Sequence, residues 1–255
     1  MKQILVPPGK KIYFASDNHL GAPTRDQSAE RERIFVSWLK HVKKDAAAIF
    51  LLGDLFDFWF EYKTVVPKGF VRTLGTLAEI TDSGIPVYFF NGNHDLWMNG
   101  YFQEELGIPV FHQPEQFEIN SKRLFIGHGD GLGPQDKGYK RMKKVFTNPL
   151  AKWFFRWLHP DWGVRLAQYF SVKNKLISGE EDREFLGEEN EWLVQYAKRK
   201  LSQDHYDYFV FGHRHLPLEI PLQEDSVYIN LGDWISHYTY GVLDGADFRL
   251  EHYNP

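Results

Sequence analysis

Cysteine is absent from the 255 residues, which excludes disulfides and thiolate metal sites together. That absence fits a reducing compartment. Long apolar runs are also missing. No window approaches the roughly 18 residues that a membrane span needs, and the first residues, Met1 to Lys11, hold no apolar signal-like core. A soluble, cytoplasmic protein is expected, one that can still rest on a membrane. Neither an internal repeat of about 20–50 residues nor a low-complexity tract is found. The net charge is only -4, so the total charge points to no class of partner.

What the chain does hold is a core and a regular order of elements. Hydrophobic residues make up 43% of it, enough for one large α/β domain or for a domain carrying an insertion. Apolar runs at 11–16, 46–52 and 87–90 read as buried strands. Helical periodicity runs through Ile34, Phe35, Trp38, Leu39 and Val42. A second helix is expected near 68–83, ended by Gly84 with Pro86 just beyond. This alternation marks a parallel sheet. A hairpin follows, 116–120 and 123–126 about the turn Asn120-Ser121-Lys122. After it come a buried strand at 206–211 and short strands near 218–222, 226–230 and 239–243. Two packed sheets flanked by helices fit this order.

Five of the strand-like runs end in residues able to bind a metal. The first delivers Asp17 and His19, which project to one side as positions i and i+2. The others end in Gly53-Asp54 with Asp57 beyond, Gly92-Asn93-His94-Asp95, Gly127-His128-Gly129-Asp130 and Gly212-His213-Arg214-His215. A single histidine after a strand is an ordinary rim residue, and Gly-Asp is a common turn. Here five of eleven histidines fall at such ends, and chance placement does not supply that. A phosphoryl centre resists attack because its oxygens are negative and water is a weak nucleophile. Two divalent ions roughly 3.5–4 Å apart answer both difficulties, neutralising the oxygens and acidifying a water toward hydroxide. Asp17, His19, Asp54, Asn93, His128, His213 and His215 offer seven N or O ligands. Mn²⁺, Fe and Zn²⁺ all suit such a set.

These five motifs, in this order, resemble those of the calcineurin-like metallophosphoesterases. The resemblance implies a four-layer α/β/β/α sandwich. It also implies that Asp17, His19, Asp54 and His215 hold one ion and that Asp54, Asn93, His128 and His213 hold the other, with Mn²⁺ the favoured metal. His94 would protonate the leaving oxygen or stabilise transition-state charge, and Asp95 would fix its ring.

Two longer runs, Gly53 to Trp59 and His128 to Tyr139, look like those of the bacterial UDP-2,3-diacylglucosamine diphosphatases, and the likeness continues through Asn148-Pro149. That family implies hydrolysis of a pyrophosphate in lipid A synthesis, giving UMP and 2,3-diacylglucosamine 1-phosphate. It further implies an acylated, nucleotide-linked sugar as substrate, with Asp136 and Tyr139 touching the glucosamine and Asn93 a substrate contact as well as a ligand. Peripheral attachment to the inner membrane is expected, with no nucleic acid and no obligate protein partner. The better-studied branch carries Arg where this chain has His94, so His94 resembles the wider superfamily. Ser171-Val172-Lys173-Asn174-Lys175 matches the expected end of the lid only loosely.

Between 131 and 202 the composition changes. Within 137–175, Lys137, Lys140, Arg141, Lys143, Lys144, Lys152, Arg156, Arg165, Lys173 and Lys175 stand against one acid, Asp161, and the same stretch holds Trp153, Phe154, Phe155, Trp157, Leu158, Trp162 and Phe170. A helical lid over 131–202 is expected, inserted into a core of 1–130 and 203–255. Its apolar, basic surface suits an acylated anionic substrate. A plainer reading packs Trp153, Phe154, Trp157 and Leu158 onto the core as an ordinary amphipathic stripe. The cations could equally be a solvated face or a track for nucleic-acid phosphates. The alternatives are therefore a nuclease, a cyclic-nucleotide phosphodiesterase, a hydrolase of another nucleotide-linked lipid, or a non-catalytic scaffold.

Overall fold

The computed structural model describes residues 1–133, 137–166, 184–223 and 225–254, with the side chains of 137–139 outside that description. In chain order the strands are β1 (Lys2–Ile4), β2 (Lys11–Ala15), β3 (Ala46–Leu51), β4 (Val87–Phe90), β5 (Val110–Phe111), β6 (Glu115–Ile119), β7 (Lys122–Ile126), β8 (Tyr208–Phe211), β9 (Pro217–Pro221), β10 (Val227–Leu231), β11 (Thr239–Asp244) and β12 (Asp247–His252). The described helices are α1 (Arg25–Val42), α2 (Val71–Asp82), α3 (Tyr101–Leu106), α4 (Lys137–Thr147), α5 (Pro149–Arg156) and α6 (Trp192–Leu201).

A strand that is apolar on both faces must be covered on both, and the central strands show how. In β2 and β3, Tyr13, Ala15, Ile49 and Leu51 point toward Phe35, Trp38 and Leu39 of α1 and Leu77 and Ile80 of α2. The alternate residues Ile12, Phe14, Ala48 and Phe50 point the other way. They meet Phe117, Leu124, Val210 and Ile229 of a second sheet. That second sheet turns Phe125, Phe209 and Tyr228 outward onto Leu193, Val194 and Ala197 of α6. The result is a four-layer α/β/β/α sandwich. One sheet runs β12-β11-β2-β3-β4-β5 and the other β1-β6-β7-β8-β10-β9.

β2, β3 and β4 are parallel neighbours, and so are β7 and β8. Their carboxyl ends lie along one rim of the sandwich. Three buried polar residues lock the loops there. Arg31 of α1 donates to the carbonyls of Asn18, His19 and Ala22 at 2.8–3.2 Å. Glu32 accepts from the Arg72 and Thr73 amides at the start of α2. Glu61 accepts from the Asn99 and Tyr101 amides and so caps α3.

Two differences from the sequence reading have plain causes. α6 falls within the expected lid, yet its apolar stripe covers the second sheet, so it forms the fourth layer of the sandwich. The aromatic run of α5 splits by face. Phe155 packs on Phe60 and Trp97, with ring centres 4.6 and 4.9 Å apart. Trp153, Phe154 and Trp157 remain 51, 65 and 75% exposed, so they are not the stripe that fastens α5 to the core.

Phe50 lies where the two sheets meet, fully buried, with ring centres 5.0 Å from both Phe14 and Phe117 and 4.8 Å from Tyr88. Phe50→Ala is expected to cost about 3–5 kcal/mol through lost burial and the cavity left behind. A lowered urea midpoint with unchanged slope checks this.

Candidate metal centre

The seven candidate ligands, spread from position 17 to position 215, meet at the rim where the parallel strands end. Asp17 and His19 follow β2, Asp54 follows β3, Asn93 follows β4, His128 follows β7, and His213 and His215 follow β8. The backbone there is unusual. Asp17, His19, Asp54, His213 and His215 have φ of 58, 45, 51, 71 and 54°. They are five of the ten non-glycine residues with positive φ among the described residues. Each such position costs of order 1–3 kcal/mol and persists only where surrounding structure enforces it. The glycines beside the ligands allow the loops to approach. A Cβ on Gly92 would collide with the Asp54 carboxylate, and one on Gly212 with Ser16 and Asp17. Gly53, at φ +88°, faces the Gly92 amide nitrogen, which would lie 2.6 Å from a Cβ.

Donor atoms gather in groups joined by Asp54 and His19. One group is Asp17, His19 and His215, another is Asp54, His128 and His213, and a third is His19, Asp54 and His94; in each the donor atoms lie within 4.8 Å of one another. Asn93 joins the second, its Oδ1 3.2 Å from His128 Nε2. Asp54 Oδ2 lies 3.4 Å from His128 Nε2 and 3.7 Å from His19 Nε2, the position a shared carboxylate would take.

The outer partners of the histidines tell which nitrogen faces inward. His128 Nδ1 lies 2.7 Å from the Leu52 carbonyl and His94 Nδ1 lies 3.0 Å from the Asp57 carbonyl. A carbonyl only accepts, so Nδ1 carries the proton in both rings and Nε2 is turned to the site. His215 Nδ1 lies 3.4 Å from Asp233, in the same sense, while His19 Nδ1 stands 3.3 Å from Asp57 without hydrogen-bond geometry. Asp233 is itself fixed by the amides of Ile235, Ser236 and His237. Such outer partners orient ligand imidazoles at metal sites.

Their effect is to bring ring nitrogens and a carboxylate face to face. His19 Nε2 is 3.2 Å from His215 Nε2. Asp17 Oδ1 lies 3.4 and 3.8 Å from these nitrogens, buried and without a hydrogen-bond partner among the described residues. A carboxylate oxygen packed this closely against two imidazole nitrogens calls for positive charge among them, as a ring proton or as a cation. A divalent cation fits that requirement, and the all-N,O donor set suits one.

The charges agree. Burial favours a neutral Asp17, yet His215, His19 and His128 hold its carboxyl below the usual range. Burial likewise opposes ionisation of Asp54, and His128, His94 and His19 hold it well below. Burial works against a charged His128, but the Asp54 and Asp17 carboxylates raise it to about 10, so the site favours positive charge at this position. His213 is pushed down to about 4, by burial first and then by the His128 charge.

Asp95 serves differently from the expectation. Its carboxylate accepts from the Gly92 amide at 2.7 Å and the Leu55 amide at 2.9 Å, joining the second and third motif loops. Burial and then the Asp54 charge push it up to about 7. Asp57 lies against the His94 ring, its carbonyl 3.0 Å and its Oδ1 3.7 Å from Nδ1. Asp136 lies outside the described residues, as do Ser171, Lys173, Asn174 and Lys175, while Tyr139 falls in the first turn of α4 with its side chain outside the description. Sequence reading assigned no role to Asp233 or Arg214, and no periodicity or spacing marks them.

A sandwich with acids and imidazoles gathered at facing strand ends is the architecture of a metal-dependent phosphoester hydrolase. The sequence model of the family described as calcineurin-like phosphoesterase matches residues 10–217, and the chain belongs to that family. It is 39% identical to UDP-2,3-diacylglucosamine hydrolase of Porphyromonas gingivalis over 255 aligned residues, covering 94% of this chain and 97% of that protein. It is 27% identical to the protein of the same name from Vibrio vulnificus, with 93 and 96% covered. The Vibrio parahaemolyticus protein of that name is 28% identical at the same coverage.

Asp54→Asn removes the charge at the junction of the donor groups. Divalent-cation affinity, measured by equilibrium dialysis, is expected to fall by more than the roughly 10–100-fold that outer partners contribute. Unchanged cation content would show that Asp54 is not shared.

Proposed function

We propose that the chain hydrolyses the pyrophosphate of UDP-2,3-diacylglucosamine to UMP and 2,3-diacylglucosamine 1-phosphate, with two Mn²⁺ ions, at the inner face of the membrane. Carrying this reading is the 39% identity, over 94% of the chain, to a protein named for that substrate. The gathered donors described above supply the chemistry that such a reaction needs.

In this reading Asp17, His19, Asp54 and His215 hold one cation and Asp54, Asn93, His128 and His213 the other. When bound, the cations neutralise phosphoryl oxygens and lower the pKa of water. The protein does the rest. His94, its Nδ1–H engaged by the Asp57 carbonyl, turns Nε2 toward the site and, as the imidazolium, gives its Nε2 proton to the departing phosphate oxygen. Asp95 keeps the loops of the second and third motifs together. Asn93 also touches the substrate, and Asp136 and Tyr139 bind its glucosamine.

The exposed Leu150, Trp153, Phe154 and Trp157, with Lys144 and Arg156 nearby in sequence, form a surface that suits acyl chains and anionic headgroups. We assign the expected insertion 131–202, apart from α6, the part of a lid through which substrate leaves the bilayer. Among the described residues no helix is long and apolar enough to cross a membrane.

Purified protein with Mn²⁺ and UDP-2,3-diacylglucosamine should release UMP, and a lack of UMP would defeat the substrate assignment. His94→Ala should lower kcat about 10²–10⁴-fold while cation content is kept. Replacing Trp153 and Trp157 together by Ser should reduce co-sedimentation with anionic vesicles without changing cation content. Equal sedimentation of the two proteins would refute the membrane role of α5.

A further inference from the structure

Arg214 stands between the two histidines of the last motif and is almost completely buried, as is its partner Glu191, the residue that precedes α6. Nε donates to Glu191 Oε2 and Nη2 to Oε1, each at 2.9 Å. Nη2 also donates to the Glu184 carbonyl at 2.9 Å, and Glu191 Oε1 accepts from the Leu186 amide at 3.2 Å. Stability alone does not account for this pair. Two charges taken out of water lose hydration, and an apolar pair of similar volume is often as stable or more so. What a guanidinium–carboxylate fork provides is a fixed geometry, because two parallel hydrogen bonds set both angle and distance.

The position of the fork says what it fixes. His213 belongs to one donor group and His215 to another, and both have left-handed backbone on either side of Arg214. At the other end of the bridge, the start of α6 packs on the same loops. The Trp192 ring lies 5.7 Å from the His213 ring, and Leu193 lies against Gly129, beside His128. Glu191 also neutralises a cationic side chain that would otherwise repel any metal ion nearby.

We propose that Arg214 and Glu191 are positioning residues: their buried fork sets the spacing of His213 and His215, and so of the two cation positions, and ties it to the chain returning from the insertion at 184–191. This rests on the dinuclear reading given above, but not on the identity of the lipid. Neither residue is among the candidate ligands.

Arg214→Met alone would strand a buried carboxylate, so the test joins Arg214→Met with Glu191→Met, which removes both charges and roughly keeps the volume. The double variant should retain the wild-type far-UV circular dichroism spectrum. Its weaker Mn²⁺ site should lose about 10–100-fold in affinity, and the exchange-coupled electron paramagnetic resonance signal of a Mn²⁺ pair should give way to that of isolated ions. On any substrate the wild type turns over, kcat should fall with KM unchanged. A folded double variant with wild-type affinity and an intact coupled signal would overturn the proposal. If the double variant does not fold, Arg214→Lys decides: it keeps the charge that Glu191 needs but not the fork. Loss of the coupled signal in that variant supports the role, and an unchanged signal refutes it. The metal readouts hold even if the wild type releases no UMP, in which case only the lipid assignment fails.

Discussion

The crowding of buried polar donors at one rim is the constraint on which this structure depends. Asp17, His19 and His215 hold a carboxylate oxygen and two imidazole nitrogens 3.2–3.8 Å apart, where no hydrogen bond satisfies the Asp17 oxygen among the described residues. Such a cluster forms only where the scaffold gathers it. Two sheets do so by bringing the carboxyl ends of five strands to one rim. Close-approach glycines and left-handed ligand backbones then let the loops meet. The strain is local, and the large apolar core between the sheets offsets it.

Much of this is legible in the sequence because parallel strands leave a strong imprint. A β-strand buried on both faces reads as an apolar run, and a ligand placed at its end follows it directly, so Asp17, Asp54, Asn93, His128 and His213 can be located without coordinates. The central strands β2, β3, β4, β7 and β8 are readable for that reason. The edge strands β1 and β5 have three and two residues, and β12 exposes half of its six, so their sequences carry little signal. α3 has only six residues and depends on Glu61, some forty positions earlier, for its cap. α1 begins at Arg25, with Thr24 accepting from the Gln27 amide, ahead of the apolar periodicity that reveals the rest of it.

Within the site, the nearest donors were readable and their supports were not. Asp57 lies beside the second motif, but nothing in its spacing says that its carboxylate meets His19 and its carbonyl meets His94. Asp95 directly follows His94, which invites pairing with that ring, yet its carboxylate turns back to the amides of Gly92 and Leu55. Asp233 lies eighteen residues beyond His215 and reaches it only because β10 runs beside β8. The long-range pairs that hold a centre in shape are products of topology, and topology is what a linear reading sees least.

Diffraction from crystals loaded with Mn²⁺, recorded at the manganese absorption edge, tests the central claim most directly. Two anomalous peaks roughly 3.5–4 Å apart, flanking the Asp54 carboxylate with Asp17, His19 and His215 on one side and Asn93, His128 and His213 on the other, are predicted. A loaded crystal with no peak at this rim, or with its peaks elsewhere on the molecule, would contradict it.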